Sequence, residues 1–163
     1  MNKTLQIQNG KLFEENIFGK EKDKFEKKPK YRKISELKLS ELDKELYETC
    51  KGNDVERVRE LIEAGANVNM REKYGVTPLM VAYDEKIIRL LVEKGADLEA
   101  VDNHLGNSVL YRSLGRIEKL KLLIELGINL KAKNKNGNTI LQAAMNQNLY
   151  ESLKILIQAG VKE

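Results

Sequence analysis

His104 is the only histidine and Cys50 the only cysteine in the chain. A Ser-His-Asp or Cys-His nucleophile would have to be built on His104. That residue lies between Asn103 and Leu105 in a turn-forming stretch, too open to water for an activated base. Cys50 sits where a packed helix takes a small buried residue, and a buried thiol with no histidine beside it is inert. There is no glycine-rich phosphate loop, no two-histidine zinc helix and no pair of cysteines. Carboxylates are abundant, but Glu60, Glu63 and Glu93 fall on polar faces of helical stretches and read as solvated charge. The reactive residue types therefore predict no catalytic site, no metal and no cofactor, with an enzyme kept only as a remote alternative.

The composition agrees. Of 163 residues, 41% are hydrophobic, enough for one core, while only 6% are aromatic and 33% are charged, a balance that suits helices. The net charge of +4 is unevenly spread. Residues 1–33 hold ten Lys/Arg against five Asp/Glu; from chain totals of 29 and 25, residues 34–163 keep 19 and 20. The basic character belongs to an N-terminal leader. A nucleic-acid role through that leader is the alternative function, diluted by the acids interleaved with its lysines. No run of signal-peptide or membrane-span length occurs, so a cytoplasmic protein with no membrane contact is expected. Within residues 1–33, Gln8-Asn9-Gly10 between Leu5/Ile7 and Leu12/Phe13 suits a hairpin turn. Leu12-Phe13 with Ile17-Phe18 also suits a short helix, and Lys20 to Lys33 reads as solvated linker broken at Pro29. The leader is left open between a mobile arm and one anchored on a partner by Phe13, Phe18 and Phe25. Ile34, Leu37, Leu39 and Leu42 suggest a further helix, capped by Ser35 or Ser40.

The elements that would position any site are set by a repeat. Leu61-Ile62-Glu63-Ala64-Gly65 returns as Leu91-Val92-Glu93-Lys94-Gly95, Leu123-Ile124-Glu125-Leu126-Gly127 and Leu156-Ile157-Gln158-Ala159-Gly160. Apolar residues at steps of three and four precede each glycine, as Val55, Val58, Leu61 and Ile62 do, and predict a one-sided helix. The glycine supplies the left-handed residue that ends it. A second motif follows: Gly75-Val76-Thr77-Pro78-Leu79, Gly106-Asn107-Ser108-Val109-Leu110 and Gly137-Asn138-Thr139-Ile140-Leu141. There a turn glycine precedes a Thr or Ser helix cap, with Pro78 at the first helical position. Each unit is then turn, helix, connection, helix and glycine stop. One such pair cannot bury its own stripe, so the units must stack.

This order, with Gly65-Ala66-Asn67 and Gly95-Ala96-Asp97 after the second helices, resembles the ankyrin repeat. The resemblance covers about residues 40–163. It implies an all-α fold, an α-solenoid of stacked helix-turn-helix repeats with short turn or hairpin fingers. The expected domains are a leader at 1–33 and a repeat domain at 34–163, divided at about 40–70, 71–102, 103–133 and 134–163, the first and last as caps. The family's usual histidine after Leu is replaced by Met80, Tyr111 and Gln142, which implies a lost hydrogen bond. The connection between paired helices reads as about three residues short after Tyr83 and two short after Leu114, with one residue added before Gly106.

The resemblance also implies the function: a protein-protein interaction module, monomeric when free, that holds a partner protein in its concave face. Inhibitor, immunity factor and adaptor all stay open. The turn tips carried over are Lys73, Tyr74 and Val76; Asn103, His104, Leu105 and Asn107; and Lys135, Asn136 and Asn138. The first-helix positions are Met80, Tyr83 and Asp84; Tyr111, Arg112 and Gly115; and Gln142, Met145 and Asn146. Tyr74, Met80, Tyr83, Tyr111 and Arg112 form the expected hot spot, because Tyr, Met and Arg are enriched at interfaces. Core packing is the competing role for Met80 and Tyr83.

Overall fold

A computed structural model describes the backbone of residues 4–8 and 11–15 and the whole of residues 30–161. The chain divides into two compact units, Met1–Lys33 and Ile34–Glu163. In the first, β1 (Thr4–Gln8) and β2 (Lys11–Glu15) pair antiparallel, with Gln8 opposite Lys11 and Thr4 opposite Glu15. Leu12 and Phe13 thus belong to a strand and not to a helix. Ile17, Phe18, Phe25 and Pro29 lie outside the described residues.

The regular elements described in the second unit are helices. A 3-10 turn at Ile34–Glu36 leads into α1 (Leu39–Thr49). Neither Ser35 nor Ser40 caps α1, as the sequence had suggested. Glu41 does so, its carboxylate accepting the Lys38 N–H at 2.9 Å. Then follow α2 (Val55–Glu63), α3 (Pro78–Val81), α4 (Glu85–Glu93), α5 (Val109–Arg112), α6 (Ile117–Glu125), α7 (Ile140–Asn146) and α8 (Tyr150–Gln158). They stack in two layers: α1 on α3, α3 on α5 and α5 on α7, with α2 on α4 and α6 on α8. The core runs between the layers. Leu46, Leu79, Leu110 and Ile140 of the first helices meet Leu61, Leu91, Leu123 and Leu156 of the second, all fully buried. Each buried Leu or Ile contributes about 1.5–3 kcal/mol, largely offset by chain entropy.

All four recurring glycines have positive φ and close the same double hydrogen bond. Gly65 N–H donates to Ile62 O and Ala66 N–H to Leu61 O; the pattern returns at Gly95/Ala96, Gly127/Ile128 and Gly160/Val161. This stop satisfies carbonyls the helix would leave bare. Asn67, Asp97 and Asn129, two residues past the first three glycines, each bond the main-chain N–H two residues on. Bonds also run between repeats: Asn69 accepts the Asp97 N–H and donates to Gly95 O.

The missing residues shorten the first helices themselves. α3 and α5 have four residues each against seven in α7. Asp84, read as a first-helix position, is instead the N-cap of α4, accepting the N–H of Lys86 and Ile87. The truncation leaves the end of α3 without a following turn. The Lys119 ammonium, from α6 of the following repeat, reaches across and donates to Leu79 O and Met80 O at 3.0 Å and Ala82 O at 2.6 Å. A lysine that is only 4% exposed thus does for α3 what a cation near a helix C-terminus does elsewhere. Burial, joined by the charges of Arg116 and Arg112, pulls its pKa down to about 7.

Candidate partner-binding face

Three fingers connect the repeats, and each is closed on itself. Glu72 N–H bonds Val76 O, Asp102 N–H bonds Asn107 O and Asn134 N–H bonds Asn138 O. These pairs align Glu72, Asp102 and Asn134, so the extra residue of the second finger lies after Asp102. The three turn glycines all have positive φ. A side chain at Gly75 would meet Asn103 at 2.7 Å, and one at Gly106 would meet Lys135 at 2.6 Å, so neighbouring fingers touch there. Main-chain bonds zip the fingers together: Asn103 N–H to Tyr74 O at 2.8 Å and Lys135 N–H to Leu105 O at 3.0 Å. Arg71 adds a bond to Val101 O and Lys135 Nζ one to Asn103 O.

The second finger is built on one carboxylate. Asp102 Oδ1 accepts the N–H of His104, Leu105 and Gly106 at 3.0–3.1 Å, and Oδ2 takes Arg112 Nη2 at 2.9 Å. Burial alone would raise its pKa, but Arg112 and the backbone donors outweigh it and hold the carboxyl below its ordinary value. Asp102 was not legible as a site residue, although its alignment with Asn134, which binds the N–H of Asn136 and Asn138 in the same way, is a signal.

Of the predicted contact residues, Tyr74 (59% exposed), Leu105 (39%), Lys73, Asn103, His104, Lys135 and Asn136 stand at the finger tips in solvent. Gln142, Met145 and Asn146 are exposed on α7. Arg112 is half-buried against Asp102, and its Nε has no hydrogen-bond partner among the described residues.

Three assignments are corrected. Met80 is 2% exposed: on a four-residue helix, its side chain belongs to the core. Val76 is buried at the base of the first finger. Tyr111 is 7% exposed, and its hydroxyl lies 2.6 Å from Asn138 O and 2.9 Å from Ala132 O. At this repeat the hydrogen bond expected to be lost with the family histidine is thus replaced by one to the third finger. Burial raises the Tyr111 pKa, which keeps it a donor. Tyr83, beyond the end of α3, stays half exposed with the Arg116 guanidinium 3.9 Å from its ring centroid, a close cation–π pair.

The residues weighed for chemistry stand apart. His104 is at an exposed tip, and Cys50 is fully buried with its thiol pushed up to about 12. No group of His, Cys, Asp and Glu among the described residues could hold a metal. No helix among them is long and apolar enough to cross a membrane.

Comparison with known proteins gives the same architecture. A family model of ankyrin repeats, in three copies, matches residues 38–102. The chain is 31% identical over 128 residues to an ankyrin repeat domain-containing protein, SAT10, of Stachybotrys chartarum, covering 74% of this chain and 6% of that protein. It is 29% identical to ankyrin repeat protein OPG189 of vaccinia virus, covering 68% and 20%, and 34% identical to the nuclear factor NF-kappa-B p105 subunit of Gallus gallus, covering 56% and 10%. The chain therefore spans a small part of these relatives' lengths. Ankyrin repeats are general protein-protein interaction modules, and on the matched motif, the paired helices and the glycine stops this chain belongs to the ankyrin repeat family.

Proposed function

We propose that the chain binds a partner protein along the row formed by its finger tips and the exposed side of its first helices. The observation that carries this reading is the pair Tyr74 and Leu105. Both are large apolar side chains held out in solvent on fingers that main-chain bonds lock to their neighbours. Rigid, exposed aromatic and aliphatic groups give up little entropy when covered and make strong anchors. Arg112, fixed by Asp102 behind them, supplies a positioned guanidinium. Such binding works by occupying the partner's surface, which is how an inhibitor, immunity factor or adaptor acts.

The test is affinity capture from the native cell with wild type and with Tyr74→Ala combined with Leu105→Ala. The variant should lose the captured protein while its melting temperature stays within about 2 °C, since both side chains are exposed. Equal capture by the variant would remove the finger tips from the interface.

A further inference from the structure

Resting on that reading of the fingers, we infer that the segment they receive is acidic. Charge in the repeat unit is sorted by face. The fingers and their bases hold Arg71, Lys73, Lys131, Lys133 and Lys135 at exposed positions, against the exposed carboxylates Glu72 and Glu99, and Glu99 already accepts the Asn129 N–H. Their other acid, Asp102, is buried and already spoken for by Arg112. The second helices have the opposite bias. Glu56, Glu85, Glu118 and Glu151 are exposed in their first turns, and exposed carboxylates outnumber exposed cations along α2, α4, α6 and α8. The sequence as a whole hides this, because residues 34–163 are close to neutral.

Arg71 and Lys135 each bond a carbonyl of the neighbouring finger, so Lys73, Lys131 and Lys133 are the cations placed to meet a partner. The Lys73 ammonium lies 5.5 Å from the centroid of its neighbour Tyr74, so a carboxylate meeting Lys73 has an aromatic ring beside it. Lys131 and Lys133 project from the third finger with exposed side chains. The row thus sets the two apolar anchors, Tyr74 and Leu105, between cations of the first and third fingers, a pattern matched by a chain of Glu or Asp interrupted by apolar residues. Opposite potentials of this kind mainly speed association and set partner choice, and they weaken with salt. A nucleic acid fits less well. Its phosphates form an unbroken line of charge, whereas this row interrupts its cations with Leu105 and is backed by acidic helices that repel a long polyanion.

The probes are a fluorescein-labelled peptide of alternating Glu with Leu and Tyr between, its Lys-for-Glu counterpart, and a single-stranded DNA oligonucleotide of equal charge, each titrated into the full chain. The Glu peptide should bind, with affinity falling about fivefold or more as salt rises from roughly 0.05 to 0.3 M. Lys73→Glu with Lys131→Glu and Lys133→Glu should weaken it at least about tenfold. Lys86→Glu with Lys121→Glu and Lys154→Glu makes the same change of net charge on the second helices and should leave it within about twofold. No binding of the Glu peptide, equal binding of the Lys peptide, tighter binding of the oligonucleotide, or equal loss in both triple variants would each overturn the inference. Should a captured partner be lost from the Tyr74/Leu105 variant yet retained by the finger triple, the fingers remain the interface and only its acidic chemistry falls.

Discussion

Removing the Asp102 carboxylate tests whether one buried charge organises the second finger. Asp102 is 3% exposed and receives three main-chain N–H groups at 3.0–3.1 Å and that of half-buried Asn107 at 3.4 Å, as well as Arg112. In Asp102→Ala, His104 and Leu105 are exposed, so water can take over their N–H groups at small cost. The Gly106 N–H belongs to a buried residue, and leaving such a donor bare costs about 1–3 kcal/mol. The half-buried Arg112 loses its counter-ion, which adds about 1–2 kcal/mol, less than for a fully buried pair. The expected loss is about 3 kcal/mol, against about 1–2 kcal/mol for Asp102→Asn, which keeps the Oδ1 acceptor for the backbone donors but loses both the charge and the Oδ2 acceptor that hold Arg112. Urea unfolding followed by circular dichroism measures both. The pH dependence has a definite sign. Because the folded carboxyl titrates below its unfolded value of about 3.9, the unfolded chain binds the proton first. The contribution of Asp102 is complete above that value and is lost as the pH falls through the folded pKa. The gap between wild type and Asp102→Asn should hold steady from about pH 7 to 5 and shrink in more acid solution. An Asp102→Ala protein within about 0.5 kcal/mol of wild type at pH 7, or a gap that persists in acid, would refute the assignment.

Two further outcomes follow from buried polar groups. Lys119 releases a proton on folding between its folded pKa of about 7 and its unfolded value near 10.4, so wild-type stability should gain with pH across that range. Lys119→Met should flatten the gain, read as urea midpoints of both proteins at neutral and alkaline pH; parallel curves would mean the amine does not titrate there. Tyr111→Phe keeps the packed ring and removes the hydroxyl bond to the third finger, and should cost about 1–2 kcal/mol in the same assay; no change would show that the two carbonyls need no donor.

The stacking and the helix stops were legible because they are written in local spacing. Apolar residues at helical steps ahead of Gly65, Gly95, Gly127 and Gly160 need no knowledge of a neighbour to be read, and Thr77 and Thr139 cap the following helices by contacts three residues long. What stayed hidden depends on distant chain. Lys119 looks like one more charged residue on a helix until α3 is seen to end at Val81, since its partners lie 37–40 residues earlier. Tyr111 reads as an interface aromatic until the third finger closes over its hydroxyl. Ser108 carries the cap motif but makes no side-chain cap bond, and the isolated bridge between Val101 and Ser108 ties it to the finger instead. Met80 was ambiguous for a simpler reason: deleting residues from a helix shifts which of its positions face the core, and spacing alone does not say where the deletion is absorbed.

The same distribution of roles decides where binding can be separated from folding. In the second finger the two are fused, because Asp102 both shapes the loop and fixes Arg112, and Tyr111 ties α5 to the finger beyond it. A substitution at Asp102, Tyr111 or Arg112 that abolished binding would say little, as each also loosens the loop that presents Leu105. The first and third fingers are different. Lys73, Tyr74 and Lys133 are exposed on turns whose shape is set by main-chain bonds and by Asn134, so their side chains can change while the turn persists. Charge reversal at those positions therefore perturbs recognition with the scaffold intact. A fall in melting temperature of Lys73→Glu with Lys131→Glu and Lys133→Glu beyond about 3 °C would show that the finger cations hold the fold, and the separation of roles would not stand.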